Sequence, residues 1–208
     1  MPDLLPQLPG LSFDEARHRY HLAGHGWLAR SVTGVVGHAM TASTRRYIDS
    51  TKHIWEPRGT QIHAALEATL LGQPVAPSEA YQSWIDNLLA HGLWKDAEVL
   101  AVEHRLYCQT KNLAGSFDFL IKTKSGKVCL GDLKTVETDV AARSRKPATE
   151  QLGAYSAMLI DHYQLPIDKC LTVVAGPGTT RLIAQDPDEC LGAWVDCWDA
   201  YQLTQPDF

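Results

Sequence analysis

No apolar run in these 208 residues approaches the ~20 that a membrane-spanning helix needs. The opening Met-Pro-Asp-Leu-Leu-Pro carries no basic region of the kind that begins a secretory signal, so a cytoplasmic protein is expected and no membrane partner. Cysteine is sparse. Cys108, Cys129, Cys170, Cys190 and Cys197 are odd in number, and none of them form a C-x-x-C pair. That spacing argues against a zinc or iron–sulfur site and leaves them as reduced, mostly internal thiols. Positive charge is also short overall, with 19 Lys/Arg against 24 Asp/Glu and a net charge of −5. Taken alone, that balance disfavours a polyanionic partner.

The distribution of charge says otherwise. Residues 105–146 hold nine Lys/Arg and four acids, a local net of +5 that leaves −10 for the remainder. An acidic body with a basic mouth can still take a polyanion, although solvated turn charges would give the same count. Hydrophobic content of 45% and charged content of 21% are those of an ordinary globular protein. The length suits one domain with a sizeable core, or a core with a small addition.

The basic stretch surrounds an unusual hairpin. Gly115-Ser-Phe-Asp-Phe-Leu-Ile and Val128-Cys-Leu-Gly-Asp-Leu-Lys134 are short apolar runs joined by a turn with Ser125-Gly126 at its tip. Asp118 interrupts the first run, while Asp132 and Lys134 end the second. A carboxylate inside a buried strand costs several kcal/mol unless a metal or cation pairs with it. Asp132 and Lys134 are two apart and so share a strand face, which Asp118 can reach from the neighbouring strand. Two carboxylates and a lysine there make a hard-cation site beside a point charge, the parts that phosphodiester hydrolysis uses. A plain surface hairpin with Asp118 paired to Lys134 is the alternative on these residues alone.

Around this hairpin the chain reads as follows. Residues 1–10, with three prolines, are expected to run over the surface. Residues 11–28 suggest a two-stranded hairpin turning near Gly24–Gly26. Ser31 or Thr33 is placed to cap a short helix, with hydroxyls that also suit a phosphate. Residues 41–54 suggest a polar helix. Thr60 is read as the N-cap of a helix over 61–71, with Ile62, Leu66 and Leu70 facing the core and His63 one residue off that stripe. A second helix is expected over 78–91, capped by Ser78. A strand over 97–108 holds another internal carboxylate, Glu103. After a polar, basic loop ending at Pro147, a helix over 148–162 places Gln151 and Tyr155 on one face. Strands over 170–175 and 181–184 and a helix over 187–203 close the chain. This order predicts an α/β fold with a mixed central sheet flanked by helices, and an N-terminal hairpin and helical addition over 1–56 before a core over 57–208.

In this order the residues resemble the PD-(D/E)XK nuclease superfamily, and in particular its RecB-like exonucleases. Arg58-Gly-Thr-Gln-Ile-His63 is similar to the family's histidine motif, and Glu103 to its first-strand acid. Gly115-Ser-Phe-Asp118 resembles the Gly-x-x-Asp motif, Gly131-Asp-Leu-Lys134 the Asp-x-Lys motif, and Gln151-Leu-Gly-Ala-Tyr155 the Gln-x-x-x-Tyr motif. Tyr20, Gly26 and Ser31-Val-Thr33 resemble the N-terminal region of phage and mitochondrial exonucleases of this group. Phe117 stands where the family name has proline. The cysteine quartet that holds a cluster in some relatives has no counterpart, so no iron–sulfur cluster is expected.

The resemblance implies a restriction-endonuclease-like core and a bound Mg²⁺ or Mn²⁺. Asp118, Asp132 and the Leu133 carbonyl would be its ligands, with His63 adding a nitrogen. Glu103 would hold a second metal or a water, and Lys134 would act on the attacking water or the developing charge. Gln151 and Tyr155 would position the scissile phosphate or the lysine. Ser31, Thr33, Arg58, Arg143, Arg145 and Lys146 are the candidate contacts to the DNA backbone, and the addition over 1–56 is expected to line the DNA path. The function implied is a metal-dependent deoxyribonuclease acting on linear DNA, single- or double-stranded, in recombination, repair or phage DNA processing, with a possible recombinase or helicase partner. A structure-specific endonuclease, or a DNA-binding module that keeps the fold without hydrolysis, are the alternatives.

Overall fold

Residues 4–205 are described by a computed structural model. The first elements are three short strands, β1 (Leu11–Asp14), β2 (Arg19–Leu22) and β3 (Gly26–Trp27), which pair antiparallel in sequence order. The expected two-stranded hairpin thus gains a strand, because the chain turns at residues 15–18 as well as near Gly24. Next come β4 (Arg30–Ser31), α1 (Val32–Val36), α2 (Ala42–Ser50) and α3 (Lys52–Leu70). Ser31 caps α1 by accepting from the Gly34 N–H at 3.0 Å.

The helix carrying His63 starts nine residues before the expected Gln61, so Thr60 is not its cap. Pro57 is the misleading signal. It lies within α3, where its missing N–H frees one carbonyl on an exposed first turn, a smaller cost than in a buried helix. Ser78 caps a turn ahead of α4 (Gln82–Leu89), accepting from the Tyr81 N–H at 3.1 Å.

The long strands β5 (Glu98–Cys108), β6 (Leu113–Lys122) and β7 (Val128–Thr135) follow, then α5 (Asp139–Ser144) and α6 (Thr149–Tyr163). The chain ends with β8 (Lys169–Ala175), β9 (Thr180–Gln185) and α7 (Pro187–Leu203), which begins with Pro187 in its first turn behind an Asp186 cap. β4 and β6, and β7 and β8, are parallel, and the remaining pairs of this six-stranded sheet are antiparallel. The molecule is therefore a mixed α/β fold with helices on both sheet faces.

Each face has its own core. On one, α1, α6 and α7 cover Leu106, Leu113, Phe117 and Leu130 with Leu152, Leu159 and Trp194. On the other, α3 and α4 bring Ile62, Leu66, Ile85 and Leu88 onto Phe119, Ile121, Leu133 and Val173. α6 and α7 approach closely at Gly153, where a Cβ would lie 1.9 Å from the Cys190 carbonyl oxygen. The segment before β1 is tied down rather than loose. Leu5 donates its N–H to Leu100, and the Tyr163 hydroxyl donates to the Pro6 carbonyl at 2.6 Å. With its proton committed there, that hydroxyl accepts from His104 Nε2 at 2.8 Å. Residues 1–3, part of the expected surface run, lie outside the described residues.

Candidate metal centre

The centre forms where β6 changes partners. Along one edge β6 pairs with β5 over its whole length except at Asp118, with a bulge in β5 between Val99 and Ala101. Along the other it pairs with β4 at Leu113–Ala114 and with β7 only from Phe119 onward, so Gly115–Asp118 have no ladder partner there. Asp118 closes the gap with its side chain, Oδ2 accepting the Leu133 N–H of β7. On the β5 side, Val102 and His104 pair with Phe119 and Phe117, so Glu103 lies across from Asp118. Glu103 has a φ of +45°, in the left-handed region. A non-glycine residue held there costs about 1–3 kcal/mol, and such residues cluster at functional sites.

This conformation has a visible effect on the sheet. Ala101 and Leu106 share one core despite their odd separation, as do Phe117 and Leu120. Both strands thus switch faces at the Glu103–Asp118 level. The switch brings Glu103, Asp118 and His63 of α3 together, with one donor atom from each within 4.8 Å of the others. His63 Nδ1 is 3.3 Å from Asp118 Oδ1 and 3.7 Å from Glu103 Oε1.

Their protonation follows from this crowding. Burial favours neutral His63, but the Asp118 and Glu103 carboxylates outweigh it and push the imidazolium pKa up to about 10. Burial raises the Asp118 carboxyl, yet His63, Lys134 and the Leu133 N–H leave it below its usual range. Glu103 is raised, by burial first and by the Asp118 charge in addition, against the pull of His63.

Asp132 stands slightly apart from that trio. It is 1% exposed, and the Lys134 ammonium lies 3.0 Å from its Oδ1 and 2.9 Å from its Oδ2. The ammonium straddles the carboxylate, in hydrogen-bond geometry with Oδ1 and in ion-pair contact with Oδ2. Burial pushes this carboxyl up to about 6 against the pull of Lys134, and the Asp118 charge adds to the rise. Lys134 also donates to Gln151 Oε1 of α6 at 3.0 Å. The alternative, an Asp118–Lys134 surface pair, does not form among the described residues, since Asp118 faces His63 and Lys134 is held by Asp132 and Gln151. Leu133 contributes its N–H to Asp118, and its side chain is buried in the α3 core.

Tyr155 lies in the α6 core, 1% exposed and edge-on to Phe117, with its hydroxyl pKa raised well above the usual value by burial. It supports the site through Gly115, where a Cβ would come within 2.6 Å of its hydroxyl. Lys134 is bonded to Gln151 and not to Tyr155.

The candidate DNA contacts divide. The expected basic loop holds α5, so Arg143 lies in the last turn of that helix and Arg145 and Lys146 follow it, all three exposed. Arg181 of β9 pins the C-terminal end of α5, donating from Nη1 to the carbonyls of Ala142 (3.4 Å), Arg143 (2.6 Å) and Arg145 (3.3 Å). Arg181 is not legible in the sequence, because an arginine after Gly176-Pro-Gly178 does not name its partners. Ser31 spends its hydroxyl on the α1 cap and on Thr33 Oγ1 at 3.2 Å, while Thr33 is exposed. Arg58 is buried, not at an open surface, because the longer α3 puts it one turn before Ile62 on the sheet-facing stripe. Its Nε has no hydrogen-bond partner among the described residues.

This donor set suits a hard or borderline divalent cation: two carboxylates and an imidazole at one point, with the buried Asp132 carboxylate and its Lys134 ammonium alongside. No helix among the described residues is long and apolar enough to cross a membrane. No protein-family model matches the sequence, and no curated protein matches it. The fold is similar to a solved structure described as the crystal structure of SSO0001, at 18% identity and a TM-score of 0.45, over 85% of this chain and 76% of that one.

Proposed function

We propose that this protein is a divalent-metal-dependent deoxyribonuclease that hydrolyses phosphodiester bonds of linear DNA. The observation that carries the reading is the meeting of His63, Glu103 and Asp118 within 4.8 Å, beside the Asp132–Lys134–Gln151 chain. Glu103, Asp118 and His63 would hold the cation, with Asp132 next to them. When bound, Mg²⁺ or Mn²⁺ supplies Lewis acidity to a phosphoryl oxygen and eases deprotonation of water.

The other steps belong to the side chains. Lys134 has three N–H donors, of which Asp132 and Gln151 take one each. The third is available to an attacking water or to a phosphoryl oxygen as charge develops, and the side chain is 26% exposed for that purpose. Gln151 fixes the ammonium from the α6 side. His63 gives up its proton before its nitrogen can serve as a ligand. Arg143, Arg145 and Lys146 supply an exposed basic rim for backbone phosphates. The motif series similar to the PD-(D/E)XK nucleases supports the same assignment.

The test uses end-labelled linear DNA and a covalently closed circle with Mg²⁺, Mn²⁺ or EDTA. Loss of linear DNA with metal only, and intact circles, is the expected result. Cut circles would make the enzyme an endonuclease. Metal-dependent binding without any cleavage would make it a binding module.

A further inference from the structure

The N-terminal part of the chain carries charge that the candidate centre does not use. Residues 16–48 contain no Asp or Glu, where about four would be expected at the chain's frequency of 24 acids in 208 residues. The same 33 residues hold five arginines and four of the nine histidines. They fold into β2, β3, β4, α1 and α2, beside two grooves of about 340 and 230 Å³. Neither groove has an acidic residue in its lining, and neither reaches His63, Glu103 or Asp118. The grooves meet at Arg30 and Tyr201, which line both.

Cations along this line rest on aromatic rings. Arg17 and Arg19 each lie 5.6 Å from the centre of the Trp27 ring, and Arg19 also lines the larger groove. Arg30 lies 5.5 Å from the Tyr201 ring and donates from Nε to its hydroxyl at 3.0 Å. Lys111, in the smaller groove, is 4.7 Å from the Trp198 ring. Arg17 is also ion-paired with Asp14 at 2.7 Å, so the line rests on Arg19, Arg30 and Lys111, whose rings hold them in place without neutralising them as a carboxylate would. Trp27 is itself 41% exposed. Fixed cations at intervals suit backbone phosphates, and an exposed indole suits an unstacked base.

We propose that this line, from Trp27 through Arg30 to Lys111, is a track for single-stranded DNA. The inference rests on the nuclease reading for the identity of the polymer. Stacking on Trp27 needs an open base face, which a duplex interior does not offer. The track is also connected to the centre. β4, which carries Arg30, pairs with β6 at Leu113–Ala114, four residues before Asp118, roughly 13 Å at about 3.3 Å per strand residue.

Fluorescence anisotropy with a labelled oligothymidylate in EDTA tests the track without hydrolysis. Trp27→Ala is expected to weaken binding about tenfold, with most of it kept in Trp27→Phe. Arg19→Glu and Lys111→Glu should each weaken it and flatten its salt dependence. Binding of a blunt duplex should be insensitive to Trp27→Ala. Thermal melts of the variants check that each is folded. Wild-type affinity in all three charge and Ala variants, or no single-strand binding by the wild type, would overturn the track. Tighter binding of the ribose counterpart would overturn its assignment to DNA. Cleavage with Mg²⁺ is measured separately. Cleavage with unaffected binding in the variants sinks the track and spares the nuclease, whereas Trp27-dependent binding with no cleavage under any metal does the reverse.

Discussion

Lys134 is held by two groups of different kind, and its neighbours divide the work. Asp132 pairs with its charge, and Gln151, a neutral acceptor, sets where the ammonium lies. Lys134→Ala should therefore lower kcat by about 10²–10⁴, the range for a lost proton donor or charge stabiliser. Gln151→Ala should cost about 10–100-fold, the usual effect of removing an orienting partner. Rates on end-labelled DNA at saturating Mg²⁺ separate the two. His63 carries a different expectation. Without metal its cation is held by Asp118 and Glu103, with a pKa of about 10 against an ordinary 6.5. The folded pKa is raised, so this stabilisation is fully present below pH ~6.5 and is lost as pH rises through about 10. A metal must displace that proton, so Mn²⁺ affinity should rise with pH between those limits. Titration calorimetry in buffers of different ionisation enthalpy should show close to one proton released at pH 7.5, and none from this site in His63→Gln.

Among the elements, the strands are the most legible in the sequence and their irregularities the least. Acids standing inside predicted strands single out Glu103, Asp118 and Asp132, because a buried carboxylate there needs a cation or metal beside it. The change of face at Glu103 and Asp118 is hidden. It comes from one left-handed φ and from the end of the β6–β7 ladder, both set by tertiary contacts. For the same reason Asp132 and Asp118 look equivalent in the sequence, although Lys134 holds one and His63 the other. The start of α3 is obscured because proline usually marks a boundary, and the burial of Arg58 is obscured with it. The strain at Glu103 gives a sharp expectation. A strand position ordinarily favours Ala over Gly. Here Glu103→Gly should be more stable than Glu103→Ala by about 1 kcal/mol, because only glycine adopts this φ freely. Chemical denaturation of the two variants, which both lack the carboxylate, measures that difference directly. Equal stability, or the ordinary order, would mean the backbone at 103 is not held in this conformation.

For the molecule as a whole, the acidic net charge conceals a divided surface. The local excess of Lys/Arg over residues 105–146 is legible in the sequence, but the mounting of Arg143 and Arg145 is not, since Arg181 reaches the end of α5 from 36–39 residues away. The layered α/β architecture follows from the order of helical and strand periods, which burial on two sheet faces enforces. If this segment binds phosphates, replacing Arg143, Arg145 and Lys146 together by Ala should reduce the slope of log K against log salt by about 0.7–0.9 for each phosphate no longer neutralised, with little change in sequence preference. Filter binding in EDTA over a range of NaCl gives that slope. The central claim is metal-dependent hydrolysis at the β6–β7 gap, and the most direct measurement is the cleavage rate of end-labelled linear DNA with Mn²⁺ by the wild type and by folded Asp118→Ala. The account predicts cleavage that EDTA abolishes, and a drop of at least about a thousandfold in the variant, which removes a proposed ligand and the group closing the gap. A variant that cleaves at the wild-type rate would contradict it.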